Sequence, residues 1–163
     1  MGVQNITIHP MTPGDLDGVM EVERLSYLTP WSREAFLSEM MQTYAIYLIA
    51  RDGERVAAIA GMHVVWEDAH VTNVAVHPLY RGRGLGERMM RELIHRAHQR
   101  GAKRMTLEVR VSNTPAQGLY RKLGFVTSPG AIRKGYYTDT NEDAIVMWKD
   151  PLSDEEELPS GRP

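Results

Sequence analysis

The sequence contains no cysteine, which removes disulfide staples, a thiol nucleophile and thiolate metal sites at a stroke and is compatible with a reducing compartment, so the cytoplasm is the expected location. Long apolar runs are missing too. The longest, Ala45 to Ala50, is far below the roughly 20 residues that span a bilayer, and Met1 to Met11 has no cationic segment followed by an apolar one. The chain begins Met-Gly, but Ile6 stands where a myristoylation signal wants Ser or Thr. No membrane attachment is expected. Excess charge of either sign is also absent: a net charge of -2 argues against a protein that coats nucleic acid, because such binding needs many cations on phosphates. Any anion site must therefore be local. The six histidines show no pair at the metal-ligand spacing used by zinc hydrolases, so no metal is expected.

What is present reads as a globular chain. A length of 163 residues suits a single core, which is expected over 1–149. From 150 to 163 the run Asp154-Glu155-Glu156-Glu157 with Pro159 and Pro163 reads as a solvated, disordered tail. Ile6 and Ile8 alternate as in a strand, and Thr12-Pro13-Gly14-Asp15 reads as a capping box opening a helix to about Tyr27. Ser32 is a second N-cap, before a stripe of Ala35, Phe36 and Met40. Tyr44 to Arg51 and Val56 to Trp66 read as strands joined at Asp52-Gly53, with a further strand from His70 to His77. Leu85, Met89, Met90, Leu93, Ile94 and Ala97 recur at helical spacing, so Leu85 to Arg100 is an amphipathic helix stopped by Gly101. Met105, Leu107, Val109 and Val111 alternate with polar residues, which puts Glu108 on the strand face opposite Leu107. A short helix from Thr114 to Gly124 and strands at Phe125 to Ser128 and Ala144 to Trp148 complete a mixed α/β pattern, with Tyr136 and Tyr137 in a loop or hairpin between those strands.

One segment suggests chemistry. In Val74-Ala75-Val76-His77-Pro78-Leu79-Tyr80-Arg81-Gly82-Arg83-Gly84-Leu85-Gly86-Glu87 a strand feeds a turn with three alternate glycines that opens directly into a helix. Glycines admit a ligand close to the backbone, and a helix start offers N–H groups and the positive end of its dipole to a phosphate. Arg81 and Arg83 add charge. The Rossmann fingerprint would need Gly at Glu87, and the Walker pattern needs Gly-Lys before Ser or Thr. Taken alone, the turn could equally be flexible with solvated arginines; the attached helix favours an anion site.

Arg81, Gly84 and Gly86 resemble the pyrophosphate turn of the GNAT acetyltransferases. Thr106-Leu107-Glu108-Val109-Arg110, Asn113, Leu119-Tyr120, Leu123-Gly124-Phe125, Ile132-Arg133, Tyr136-Tyr137 and Glu142-Asp143-Ala144, with Pro30-Trp31-Ser32 near the start, are similar to the RimI-type ribosomal-protein alanine N-acetyltransferases. The resemblance runs from Ile6 to Trp148. It implies a central mixed, mostly antiparallel, twisted sheet flanked by helices, and acetyl-CoA as co-substrate. It implies further that Val74, Ala75, Val76, Arg81, Gly82, Arg83, Gly84, Leu85, Gly86, Glu87 and Asn113 hold the coenzyme. In the same scheme Glu108 is the general base, Tyr120 the general acid, and Trp31, Tyr136 and Tyr137 contact a peptide: the N-terminus of a ribosomal protein.

Each role has a plain structural alternative. Glu108 could be a strand glutamate paired with Arg110 or a lysine, Tyr120 a core aromatic, Asn113 a polar residue before a helix cap, and the loop aromatics ordinary packing. The amine class can be weighed by magnitude. An α-amine with a pKa of about 7.7 to 8.0 is roughly a tenth neutral at pH 7, whereas lysine at about 10.4 is neutral in about four molecules in ten thousand. A modest base suffices for the first. Transfer to lysine or a small amine, and a non-catalytic acetyl-CoA-binding module, are the alternatives.

Overall fold

A computed structural model describes residues 5–153; the first four residues and the acidic run from Asp154 lie outside it. The elements follow as β1 (Thr7–Pro10), α1 (Leu16–Ser26), α2 (Arg33–Met40), β2 (Ala45–Asp52), β3 (Arg55–Val65), β4 (Asp68–Val76), α3 (Leu85–Gln99), β5 (Arg104–Arg110), α4 (Thr114–Lys122), β6 (Val126–Tyr137) and β7 (Glu142–Lys149). The strands form one seven-stranded mixed sheet in the order β1-β2-β3-β4-β5-β7-β6. β1 with β2, β2 with β3, β5 with β7 and β6 with β7 are antiparallel; β4 and β5 are parallel. No described helix is long and apolar enough to cross a membrane, and among the described residues no cluster of three or more acidic, His or Cys side chains could hold a metal.

Two compact units make up the chain. Among the described residues the first comprises 5–63 and Thr72–Leu93, the second Val64–Val71 and 94–153. In the first, α1 and α2 place Leu16, Val19, Val22 and Phe36 in a core with Tyr47, Ile49, Val56, Ile59 and Ala75 from the strands. Tyr47 lies opposite Gly61 across the β2–β3 ladder, and a Cβ on Gly61 would stand 2.0 Å from its ring. Only glycine lets the ring lie there. In the second unit the alternation read in β5 is realised: Met105, Leu107 and Val109 are buried, and Leu107 and Val109 face Met147 and Ile145 of β7.

The capping signal at Thr12 has more structure than a cap. Pro13–Asp15 form a 3₁₀ turn ahead of α1, and the Asp15 carboxylate accepts hydrogen bonds from the Thr12 N–H at 2.8 Å and the Thr12 hydroxyl at 3.0 Å. It also pairs with Arg51. Burial alone would raise the Asp15 pKa, but the Thr12 N–H, the Arg51 guanidinium and the Thr12 hydroxyl outweigh it and hold it below the ordinary value. A depressed folded-state pKa contributes stability above the unfolded pKa, about 3.9, and loses it as pH falls through the folded value. Asp15→Asn is therefore expected to cost about 1–2 kcal/mol at pH 7 and to flatten the acid limb below about pH 4. Urea unfolding of both proteins from pH 7 to pH 2 checks this; parallel curves would contradict it.

Most element boundaries fall within about two residues of the sequence reading, and one differs widely. Phe125 to Ser128 was expected to end before a loop, yet β6 runs on to Tyr137. Its pairing with β7 shifts register between Thr127 and Ile132 and again between Arg133 and Tyr137. Pro129-Gly130 and Gly135 sit at those shifts, and residues that suggest a break instead make irregularities inside a continuing strand.

Candidate active site

In the first unit β4 ends at Val76 and a 3₁₀ turn, Pro78–Tyr80, leads to the glycine turn. His77 Nδ1 accepts the Leu79 N–H at 3.1 Å. The Tyr80 hydroxyl donates to Asp52 at 2.5 Å, a bond that raises the Tyr80 pKa. The first backbone bond of α3 runs from the Arg88 N–H to the Gly84 carbonyl at 3.1 Å. N–H groups of the turn before it have no carbonyl to meet inside the helix. Gly82 and Gly84 have φ of +77° and +79°, and a Cβ on either would meet nothing within 4 Å. The space above the turn is open and its backbone conformation favours glycine.

The charged side chains of this turn are partly engaged. Arg81 donates from Nε to the Val76 carbonyl at 2.9 Å and from the guanidinium to Ser26 Oγ at 3.3 Å. Arg83 lies over the Tyr80 ring at 5.7 Å, and Glu87 pairs with Arg91 one turn along α3 at 2.9 Å. Leu85 is buried. What the turn offers an anion is therefore mainly backbone, with Arg81 pinning the strand end beneath it. Along β4 the side chain of Ala75 is buried while Val74 and Val76 are half-buried.

Trp31 packs as a core neighbour, its ring 5.1 Å from Phe36 and 6.2 Å from Tyr47. Its backbone N–H donates to Glu23 at 3.0 Å. Glu23 is buried and also accepts from Asn73 Nδ2 at 2.9 Å; Asn73 Oδ1 and the Val74 carbonyl both lie 2.9 Å from the Tyr27 hydroxyl. Burial raises the Glu23 pKa, only partly countered by the Trp31 N–H and Asn73. This network ties the Pro30-Trp31-Ser32 segment to β4. Sequence reasoning missed it because its members are spread over 50 residues with no motif spacing.

The second unit holds Glu108. Its side chain is only 11% exposed, and one oxygen, Oε1, lies 2.8 Å from His70 Nε2 and 3.4 Å from the Tyr136 hydroxyl that donates to it. Desolvation, then the Glu108 charge and that hydrogen bond, raise the Tyr136 pKa. Tyr136 and Tyr137 stand edge to face at 5.0 Å, and Arg110 stacks on Tyr137 at 4.1 Å. Arg110 is committed elsewhere, to Asp139 at 2.7 Å and Glu142 at 3.5 Å, so the expected alternative of a Glu108–Arg110 pair is not what forms. Asn113 caps α4, its Oδ1 accepting the Ala116 N–H at 3.2 Å.

Tyr120 packs on Phe125 at 5.9 Å. Burial pushes its pKa up to about 12, so the phenol keeps its proton across the neutral range. No described residue hydrogen-bonds its hydroxyl.

Comparison with known proteins places this geometry. The acetyltransferase (GNAT) family matches residues 16–125. A Bacillus subtilis (strain 168) protein, provisionally named a ribosomal protein bS18-alanine N-acetyltransferase, is 45% identical over 82% of this chain and 88% of its own. The Escherichia coli (strain K12) ribosomal protein bS18-alanine N-acetyltransferase is 37% identical over 86% of this chain and 95% of its own. The crystal structure of the ribosomal-protein-S18-alanine N-acetyltransferase from Escherichia coli superposes with a TM-score of 0.81 at 33% identity, covering 97% of this chain and 98% of that one. With the glycine turn, the mixed sheet and these relatives in agreement, the chain belongs to the GNAT family of N-acetyltransferases.

Proposed function

We propose that the protein transfers the acetyl group of acetyl-CoA to the α-amine of an N-terminal alanine, or another small first residue, of a ribosomal protein. The relatives named for that activity, similar over most of both chains, support the substrate class. The observation that carries the chemistry is Glu108: a nearly buried carboxylate with donors gathered at one oxygen.

The backbone turn, open at Gly82 and Gly84, fits a diphosphate, with the first turn of α3 supplying N–H groups and dipole. Main-chain groups of Val74 to Val76 hold the pantetheine arm and polarise the acetyl carbonyl. Glu108, directly or through water, takes the proton lost by the amine as its nitrogen bonds to the carbonyl carbon. Tyr120 then donates toward the sulfur as the carbon–sulfur bond breaks. A phenol near 12 is a weaker acid than a thiol of about 8.5, but the dry setting that raises the phenol also destabilises a thiolate and narrows that gap.

A panel of peptides tests the substrate class: free or acetyl-blocked N-termini, small or bulky first residues, each with one internal lysine, offered with acetyl-CoA and mapped by mass spectrometry. The label is expected on the free α-amine of the alanine and serine peptides. Label on lysine in the blocked peptides would replace this reading with lysine transfer, and no label on any peptide would remove it.

A further inference from the structure

We infer that His70 is a positioning residue for the general base, donating its Nε2–H to Glu108 Oε1 so that the other oxygen, Oε2, is presented to the amine. The inference rests on Glu108 being the base. His70 lies on β4 and Glu108 on β5, joined by the parallel register that sets Asp68 against Arg104, Ala69 against Met105 and His70 against Thr106. Side chains at 106 and 108 share a face of β5, so the imidazole reaches along that face to the carboxylate at 2.8 Å.

Three features separate this from an incidental surface pair. Glu108 is nearly buried while the His70 side chain is 41% exposed, so the carboxylate is the enclosed partner and the histidine closes its solvent side. Tyr136 meets the same oxygen, and among the described residues no donor meets Oε2. A carboxylate with both donors on one oxygen has its plane fixed and its second oxygen left for a proton. Finally, a donor that is half-exposed can exchange with water, so the carboxylate is oriented without being sealed. Preorganisation of this kind acts on the rate of the chemical step.

The test is a double-mutant cycle on the full chain, with acetyl-CoA and an alanyl peptide. His70→Leu is expected to lower kcat roughly ten- to hundredfold, the range for losing an outer-shell partner, with KM for acetyl-CoA unchanged. His70→Gln, which keeps an N–H donor, recovers most of that loss. In a Glu108→Gln background His70→Leu adds nothing, because the oriented group is already gone. Should the leucine variant fail to fold, His70→Thr, too short to reach Oε1, is read in the same way. Wild-type kcat in His70→Leu while Glu108→Gln is impaired overturns the inference alone. Equal losses in His70→Leu and His70→Gln, or additive losses in the cycle, overturn it too. Wild-type kcat in Glu108→Gln overturns the base assignment and this inference with it.

Discussion

Glu108→Gln is expected to lower kcat by roughly a hundred- to ten-thousandfold, the contribution of a positioned general base, with acetyl-CoA affinity and stability little changed. The amide is isosteric and its oxygen still accepts from His70 Nε2 and the Tyr136 hydroxyl, so packing survives while basicity goes. Tyr120→Phe makes the companion case. Its hydroxyl bonds no described residue, and its ring contact with Phe125 remains, so any loss of turnover reports the missing proton donor rather than a weakened fold. Steady-state kinetics with an alanyl peptide, alongside coenzyme titration, decide it. Unaltered turnover in both variants would remove the proposed acid–base chemistry.

Gly84→Trp is expected to abolish acetyl-CoA binding. A Cβ at this position meets nothing within 4 Å, so the indole would be accommodated by filling the open space above the turn that the diphosphate is proposed to use. The φ of +79° adds a strain of about 1–2 kcal/mol for a non-glycine residue, which a domain of ordinary stability survives. Gly84→Ala separates the two effects: it carries the same backbone strain with little of the bulk. Calorimetric titration should show measurable coenzyme binding in the alanine variant and none in the tryptophan one, both still folding cooperatively. Normal binding to Gly84→Trp would place the coenzyme elsewhere.

Much of this was legible in the sequence, for reasons that are local. The Thr12–Asp15 cap, the Ser32 cap on α2 and the Asp52-Gly53 hairpin are short-range signals, and each forms where it was read. Helix α3 was bounded within a residue because its apolar stripe and its stop at Gly101 depend on neighbours along the chain. β6 was not, because pairing with β7 carries it through Pro129 and Gly130 against their local preference. The site divides in the same way. Glu108 could be placed on a strand face by alternation, but its partner His70, 38 residues earlier, depends on the register of two parallel strands, which no local pattern encodes. Arg81 read as a cation for an anion, and its guanidinium also holds Val76 and Ser26. Asn113 read as a cofactor contact or a polar residue ahead of the helix cap, and its oxygen is itself the cap of α4.

The proposed grip of the glycine-turn backbone on the diphosphate of coenzyme A depends most directly on this fold. Amide hydrogen exchange, compared with and without saturating coenzyme A and resolved across residues 82–88, tests it directly. The prediction is marked slowing of the amides that open α3, since a bound diphosphate would accept their hydrogen bonds. Exchange unchanged there while amides elsewhere slow would contradict it.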